Sequence, residues 1–317
     1  MPHMLAPFVS AVADLPIEAI GTSQQRHASP FNLKAEASQI AFLTLCVGKR
    51  RQSENTSFTL EVPNTIHMKQ DDMCASSICS FVRQVDTRVH PTFALVDNAT
   101  SKTVRSLYEV YHIKLISSFD DDLPAPHPSW PIPYGFAKLR VWSMHRFDRI
   151  LLFDPDVYFK LSPLFFFDKY ASDAPNALAI RVRPFNTGVM LVRPNVTTYR
   201  QLVNEFTKRF VALPARAGDK CFDDQCWLQT RSHHFTIKPL DMCDNNKPWG
   251  LTRNHVGHQW CAKDTVKLYH YLPSDESSWY RQLLDEVASH SCRNVSDRVN
   301  FDKIRVHALI RRSVAPG

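Results

Sequence analysis

An α/β fold with a mostly parallel sheet and flanking helices is what this 317-residue sequence predicts. Short, wholly apolar runs alternate with segments of helical periodicity across about 240 residues, the pattern of strands joined by crossover helices. The runs are continuous rather than alternating, which marks strands covered on both faces. A mass of 36.4 kDa and 44% hydrophobic residues suit one large domain with a sizeable core.

In chain order, Ile40-Ala-Phe-Leu-Thr-Leu-Cys46 reads as the first buried strand and residues 73–85 as a helix. Residues 92–96 and 112–116 read as the second and third strands, with a helix over 100–111 between them. A Pro-rich loop with consecutive acids follows at 120–133, then a helix over 134–147. Arg149-Ile-Leu-Leu-Phe153 is the fourth strand, 185–192 another, 197–210 a helix, 223–230 a short helix and 265–269 the last strand. Residues 1–36 are Ala/Pro/Ser-rich and weakly patterned, a tail. The domain is expected over 37–290, with a polar insertion or long loop at 48–71 and a C-terminal extension at 291–317.

Composition removes several classes. No apolar stretch reaches the ~18 residues of a spanning helix, and the richest, at 150–167, is broken by Asp154, Asp156 and Lys160. A net charge of +7 suits an anionic partner. The basic residues are dispersed, however, with no run longer than Lys49-Arg50-Arg51, so nucleic acid is not expected as a partner. Eight cysteines without a CxxC pair leave buried thiols and disulfides both open. Sequons begin at Asn55, Asn98, Asn195 and Asn294. The first thirty residues lack a basic n-region and carry Asp14 and Glu18, unlike a signal peptide. The cytoplasm is slightly favoured over the Golgi lumen.

The chemistry concentrates in four segments. Asp154-Pro155-Asp156 follows directly on an apolar strand, which Pro155 ends by fixing φ and removing a ladder donor. Two carboxylates so placed suit an oxygen-ligated Mg²⁺ or Mn²⁺ with a phosphorylated ligand, although an acidic turn reads the same way. Phe185-Asn186-Thr187-Gly188 puts small polar groups at the mouth of a strand, with Gly188 permitting close backbone approach. In Phe222-Asp223-Asp224-Gln225-Cys226, either aspartate can serve as a helix cap. His270 can be a third metal ligand or a structural histidine.

Taken in order, Lys138-Leu-Arg-Val-Trp142, Leu-Leu-Phe-Asp154-Pro-Asp156, Phe185-Asn-Thr-Gly-Val-Met190, Asp224-Gln225 and Leu-Tyr-His270-Tyr resemble glycosyltransferase family 8, the glycogenin-like retaining enzymes. The resemblance implies a Rossmann-like GT-A fold, a UDP-sugar donor and a divalent cation, Mn²⁺ with Mg²⁺ as the substitute. It implies Asp154, Asp156 and His270 as metal ligands, and a donor site of Leu45, Val47, Lys138, Pro155, Asn186 and Thr187 together with those ligands. Asp224, Gln225 and Asn186 are implied at the sugar face where the acceptor arrives. Asp224 would act as nucleophile or hold the sugar hydroxyls, and Gln225 would stabilise the oxocarbenium-like state. Retention needs a same-face attack or a covalent intermediate, and both routes stay open.

Departures from the family pattern qualify this reading. The base-stacking Tyr turn is replaced by the polar insertion, with Asp72-Met73 its nearest equivalent, and the Gly after Asp-Gln is Cys226. The late Lys that meets the diphosphate is missing, with Asp275-Glu276 nearby and Lys263 or Lys267 as substitutes. No Tyr lies between Tyr199 and Tyr269, so self-glucosylation is not expected, and the acceptor is a separate glycan, protein or small molecule. Two other readings remain: a weak or inactive family member that binds nucleotide-sugar or glycan, and a dehalogenase-like phosphotransferase with Asp154 as nucleophile.

Overall fold

The structure, a computed structural model, describes residues 40–47, 70–130, 133–216, 219, 221–245 and 267–270. The tail at 1–36, the insertion up to residue 69 and everything after residue 270 lie outside the described residues. Strands β1 (Ile40–Cys46), β2 (Thr92–Val96), β3 (Lys114–Ser117), β4 (Arg149–Phe153), β6 (Ala177–Val182), β7 (Phe185–Val192) and β8 (Thr236–Pro239) form one sheet in the order β3-β2-β1-β4-β7-β6-β8. The β1–β2, β2–β3, β1–β4 and β6–β8 pairs are parallel, and β7 runs antiparallel to both β4 and β6. β5 (Val157–Phe159) pairs antiparallel with β9 (Leu268–His270) in a separate ribbon.

Both faces of the sheet are covered, which is why its central strands carry no polar alternation. Phe42, Ala94, Leu151 and Phe153 point to one side, against α1 (Gln70–Val82), α2 (Lys102–Val110) and α4 (Phe165–Tyr170). Their sequence neighbours Leu43, Phe93, Leu95, Ile150 and Leu152 point to the other. There they meet Val141 and Trp142 of α3 (Arg140–Ser143), Phe206 of α5 (Val196–Phe206) and Trp227 of α6 (Asp224–Thr230). Side chains Ser101 and Asn195 cap α2 and α5 by accepting from Val104 N and Thr198 N. This is the single-domain, mostly parallel α/β arrangement expected of the GT-A type.

Four local expectations need correction. Residues 134–147 are not one helix but a 3₁₀ segment, Pro133–Leu139, followed by the single turn of α3. The stretch opens on Pro133 and contains Gly135, both poor helix residues. The third strand starts two residues late because His112 turns the chain with φ 55°, and as β3 it lies at the sheet edge with its outer residues exposed. The last strand does not join the main sheet but pairs with β5. Strands β6 and β8 were not legible as such; β8 is an exposed edge. The cysteine question resolves toward disulfides: Cys46–Cys74 and Cys221–Cys226 are bonded, and Cys79 and Cys243 are disulfide-bonded as well.

Phe81 is the hub of the α1 side, fully buried with its ring 4.9 Å from Phe42, 5.1 Å from Phe153 and 5.6 Å from Phe159. Phe81→Ala should cost about 3–5 kcal/mol in urea unfolding, the range for a buried aromatic truncated to a cavity. A loss under about 1 kcal/mol would show that this cluster is not the core.

Candidate active site

β1 is flanked by β2 on one side and β4 on the other, so the order of strands reverses between β1 and β4. Ligands of open α/β sheets bind at such a crevice, beyond the carboxyl ends of the strands. Asp154, Pro155 and Asp156 leave β4 there. Leu45 and Val47 end β1 at the same edge, in a ladder that pairs Thr44 with Phe153, and both are buried against apolar neighbours.

Two pairings assemble the rest. β7 runs beside β4, and the amide of Asp154 donates to the carbonyl of Gly188 at 2.8 Å. β5 and β9 pair Val157 with His270, which sets the imidazole beside Asp156, with Nε2 3.4 Å from Asp156 Oδ1. One ligand atom each from Asp154, Asp156 and His270 falls within 4.8 Å of the others. Gly188 makes this possible: a Cβ there would lie 1.9 Å from His270 Cε1 and 3.0 Å from Asp154 Oδ2.

The donor set fits a metal ion. Asp154 Oδ1 and Asp156 Oδ1 are buried and make no hydrogen bond, although buried carboxylate oxygens are ordinarily satisfied. Two carboxylates and an imidazole suit a borderline-hard divalent ion.

Beside this trio, Lys138 Nζ reaches Asp154 Oδ2 at 2.8 Å, Asp224 Oδ2 at 3.0 Å and Thr187 Oγ1 at 3.1 Å. Thr187 donates in turn to Asp224 Oδ2 at 2.6 Å. Burial works against the Lys138 charge, but Asp154 and Asp224 outweigh it and hold the ammonium above its usual range. Burial, with Asp156 and Asp224 nearby, pushes the Asp154 carboxyl up in spite of Lys138. Burial also acts to raise Asp156, but His270 and Lys138 together carry it below its usual value.

The two aspartates of the short helix have separate fates. Asp223 is the cap of α6, accepting from Cys226 N at 2.7 Å, while Asp224 turns into the site. Asn186 Nδ2 donates to Gln225 Oε1 at 3.1 Å. Thus Lys138, Asp154, Asp156, Asn186, Thr187, Asp224, Gln225 and His270 form one cluster. Leu45 and Val47 share only its end of the sheet. Asp72 opens α1, Met73 is half-buried beside it, and Lys263, Asp275 and Glu276 lie outside the described residues. A dehalogenase-like phosphotransferase opens on its DxD strand, whereas here β1, β2 and β3 precede β4.

Sequence reasoning missed three participants. A Cβ on Gly135 would sit 2.1 Å from Asp224 Oδ1, so this glycine is where the carboxylate needs room. Burial, then the charges of Asp224 and Asp154, raise the Tyr134 hydroxyl, which keeps its proton and stands close to the carboxylates. Asn245 bonds the far side of the His270 ring, with Oδ1 3.2 Å from Nδ1. Gly135 beside Lys138 was readable as a helix-weakening residue; nothing near Asn245 marked it.

No protein-family model matches the chain. It is 23% identical over 180 residues to the putative UDP-glucuronate:xylan alpha-glucuronosyltransferase 4 of Arabidopsis thaliana, covering 55% of this chain and 28% of that protein. The chain therefore spans just over a quarter of that relative's length. Among solved structures, mouse xyloside xylosyltransferase 1 in its apo form is 15% identical, with a TM-score of 0.42 over 73% of this chain and 97% of that one. The galactosyltransferase LgtC, in complex with donor and acceptor sugar analogs, is 12% identical, with a TM-score of 0.49 over 78% and 95%.

Removing Lys138 would leave Asp154 and Asp224 buried without their counter-charge. Lys138→Met should therefore lower stability by about 3–5 kcal/mol, and adding Asp224→Asn should recover part of the loss in a double-mutant cycle. Purely additive effects in urea unfolding would mean that the ammonium and Asp224 are not coupled.

Proposed function

We infer that this chain is a glycosyltransferase that moves a hexose or pentose from a UDP-sugar to a separate acceptor, with retention of configuration and with a divalent metal. The observation that carries this reading is the meeting of Asp154, Asp156 and His270 beside the Lys138–Asp224 pair at the β1/β4 crevice. The similarity to a plant glucuronosyltransferase sequence supports it, as does the resemblance of the motifs to glycosyltransferase family 8.

Asp154, Asp156 and His270 would hold Mn²⁺, or Mg²⁺ in its place, and the cation would offset the charge that grows on the departing diphosphate. The chain's own residues do the rest. Lys138 and Thr187 fix one oxygen of Asp224, so its carboxylate is held for attack on the sugar or for gripping its hydroxyls. Asn186 fixes the Gln225 carboxamide, which would stabilise positive charge developing on the sugar ring. Tyr134, keeping its proton, can donate to a sugar oxygen at the rim.

We also assign the chain to an oxidising compartment rather than to the cytoplasm. The support is the disulfide content, since such bonds persist mainly where glutathione does not reduce them. No described helix is long and apolar enough to cross a membrane.

A panel of UDP-sugars incubated with Mn²⁺ should reveal one donor whose UDP is released. Asp156→Ala should cut that release by about 10²-fold or more, the scale of losing one electrostatic contact in such a site. Donor binding without any UDP release would favour a nucleotide-sugar-binding protein instead. Dithiothreitol should lower both the thermal midpoint and the release rate. Indifference of both to reductant would count against an oxidising compartment.

A further inference from the structure

The geometry points to Asn245 as a positioning residue that keeps a proton on Nδ1 of His270, so that Nε2 is the nitrogen the ring can offer to a cation beside Asp154 and Asp156. This rests on the metal-site reading above. A histidine can ligate a metal only through a nitrogen that carries no proton, and the partner of the other nitrogen decides which one that is. Here each ring nitrogen faces its own oxygen. Nδ1 faces Asn245 Oδ1 at 3.2 Å, and Nε2 faces Asp156 Oδ1 at 3.4 Å. A carboxamide oxygen only accepts, so Nδ1 keeps its N–H, and when the ring gives up a proton to take a cation it is Nε2, beside Asp156, that becomes the lone pair.

Asn245 is held for this task. It is fully buried and His270 nearly so, at 0% and 1% exposure. Its carbonyl accepts from the buried Arg181 Nη1 at 3.2 Å, and its amide donates to Asp241 O at 3.2 Å. The turn that carries it is pinned from α4, where Lys169 Nζ and the Tyr170 hydroxyl donate to Asp244 Oδ2 at 2.6 and 2.5 Å. Lys267 N, just before β9, donates to Cys243 O at 3.2 Å and ties the same turn to the strand that carries His270.

A purely structural asparagine would be placed to satisfy its own amide group. Asn245 Nδ2 is instead buried without a partner, an arrangement that opposes folding. What the side chain contributes is the acceptor, and His270 is the group that takes it.

The test separates this inference from the proposed transfer reaction, because its first readout needs neither metal nor donor. In metal-free protein with ¹⁵N-labelled histidine, followed up in pH until the ring is neutral, the His270 signals, assigned by their absence in His270→Gln, should report the Nδ1–H tautomer. Asn245→Asp, an acceptor at both oxygens, should retain it, and Asn245→Leu should lose it. Direct Mn²⁺ titration by electron paramagnetic resonance should then show affinity down about 10–100-fold in Asn245→Leu, with Asn245→Asp close to the parent. Thermal melts of the metal-free variants check that each folds. An Nε2–H tautomer in the parent, or the same tautomer in the parent and in folded Asn245→Leu, would overturn the proposal. Parent protein with the Nδ1–H tautomer but no Mn²⁺ binding would sink the metal reading alone.

Discussion

Uncompensated negative charge at the β1/β4 crevice is the constraint around which the rest of the site is arranged. Asp154, Asp156 and Asp224 converge there, and among the described residues the ammonium ion-paired with the cluster is that of Lys138. Taking charges out of water costs several kcal/mol per ion even after relaxation. Such a cluster persists only if something offsets it. Lys138 neutralises the Asp154–Asp224 side, and the orphaned oxygens of Asp154 and Asp156 remain on the other. The excess negative charge therefore lies on the side away from Lys138, where the His270 imidazole stands beside Asp156.

The sheet topology delivers these groups with little freedom. An all-parallel sheet would place the strand after β4 with its carboxyl end at the crevice. The antiparallel β7 instead brings its opening residues, Asn186 to Gly188, up against Asp154. The small β5–β9 ribbon adds His270 from far along the chain, in a register that pairs it with Val157. Glycine is then obligatory at 188, because the imidazole and a carboxylate occupy the space a side chain would need.

The parts of this design that were readable in the sequence are those written in contiguous residues. The strand Arg149–Phe153 and the following Asp-Pro-Asp announced themselves because an apolar run stops at proline and acid. Phe185–Val192 was visible for the same reason. Asn245 was not, because its role depends on a contact with His270 across a turn, and no local pattern distinguishes a buried asparagine from a loop one. The helix expected at 134–147 failed where tertiary need overrode periodicity: Phe136, Val141 and Trp142 keep apolar spacing, while Gly135 yields its volume to Asp224. Strand β3 failed differently. Its start was misplaced, because the left-handed turn at His112 depends on backbone geometry that residue type does not announce.

Two of the disulfides sit at the shoulders of the crevice. Cys46–Cys74 ties the end of β1 to α1, whose Ser77 hydroxyl donates to the carbonyl of Asp154 at 3.4 Å. Cys221–Cys226 spans Asp223, Asp224 and Gln225, closing a short loop around the cap and both site residues of α6. The crosslink holds the helix start at which Asp223 caps and Asp224 meets Lys138. A reaction that depends on carboxylates fixed within fractions of an ångström gains from such restraint. The disulfide thus links the geometry of Asp224 to the oxidation state of its surroundings.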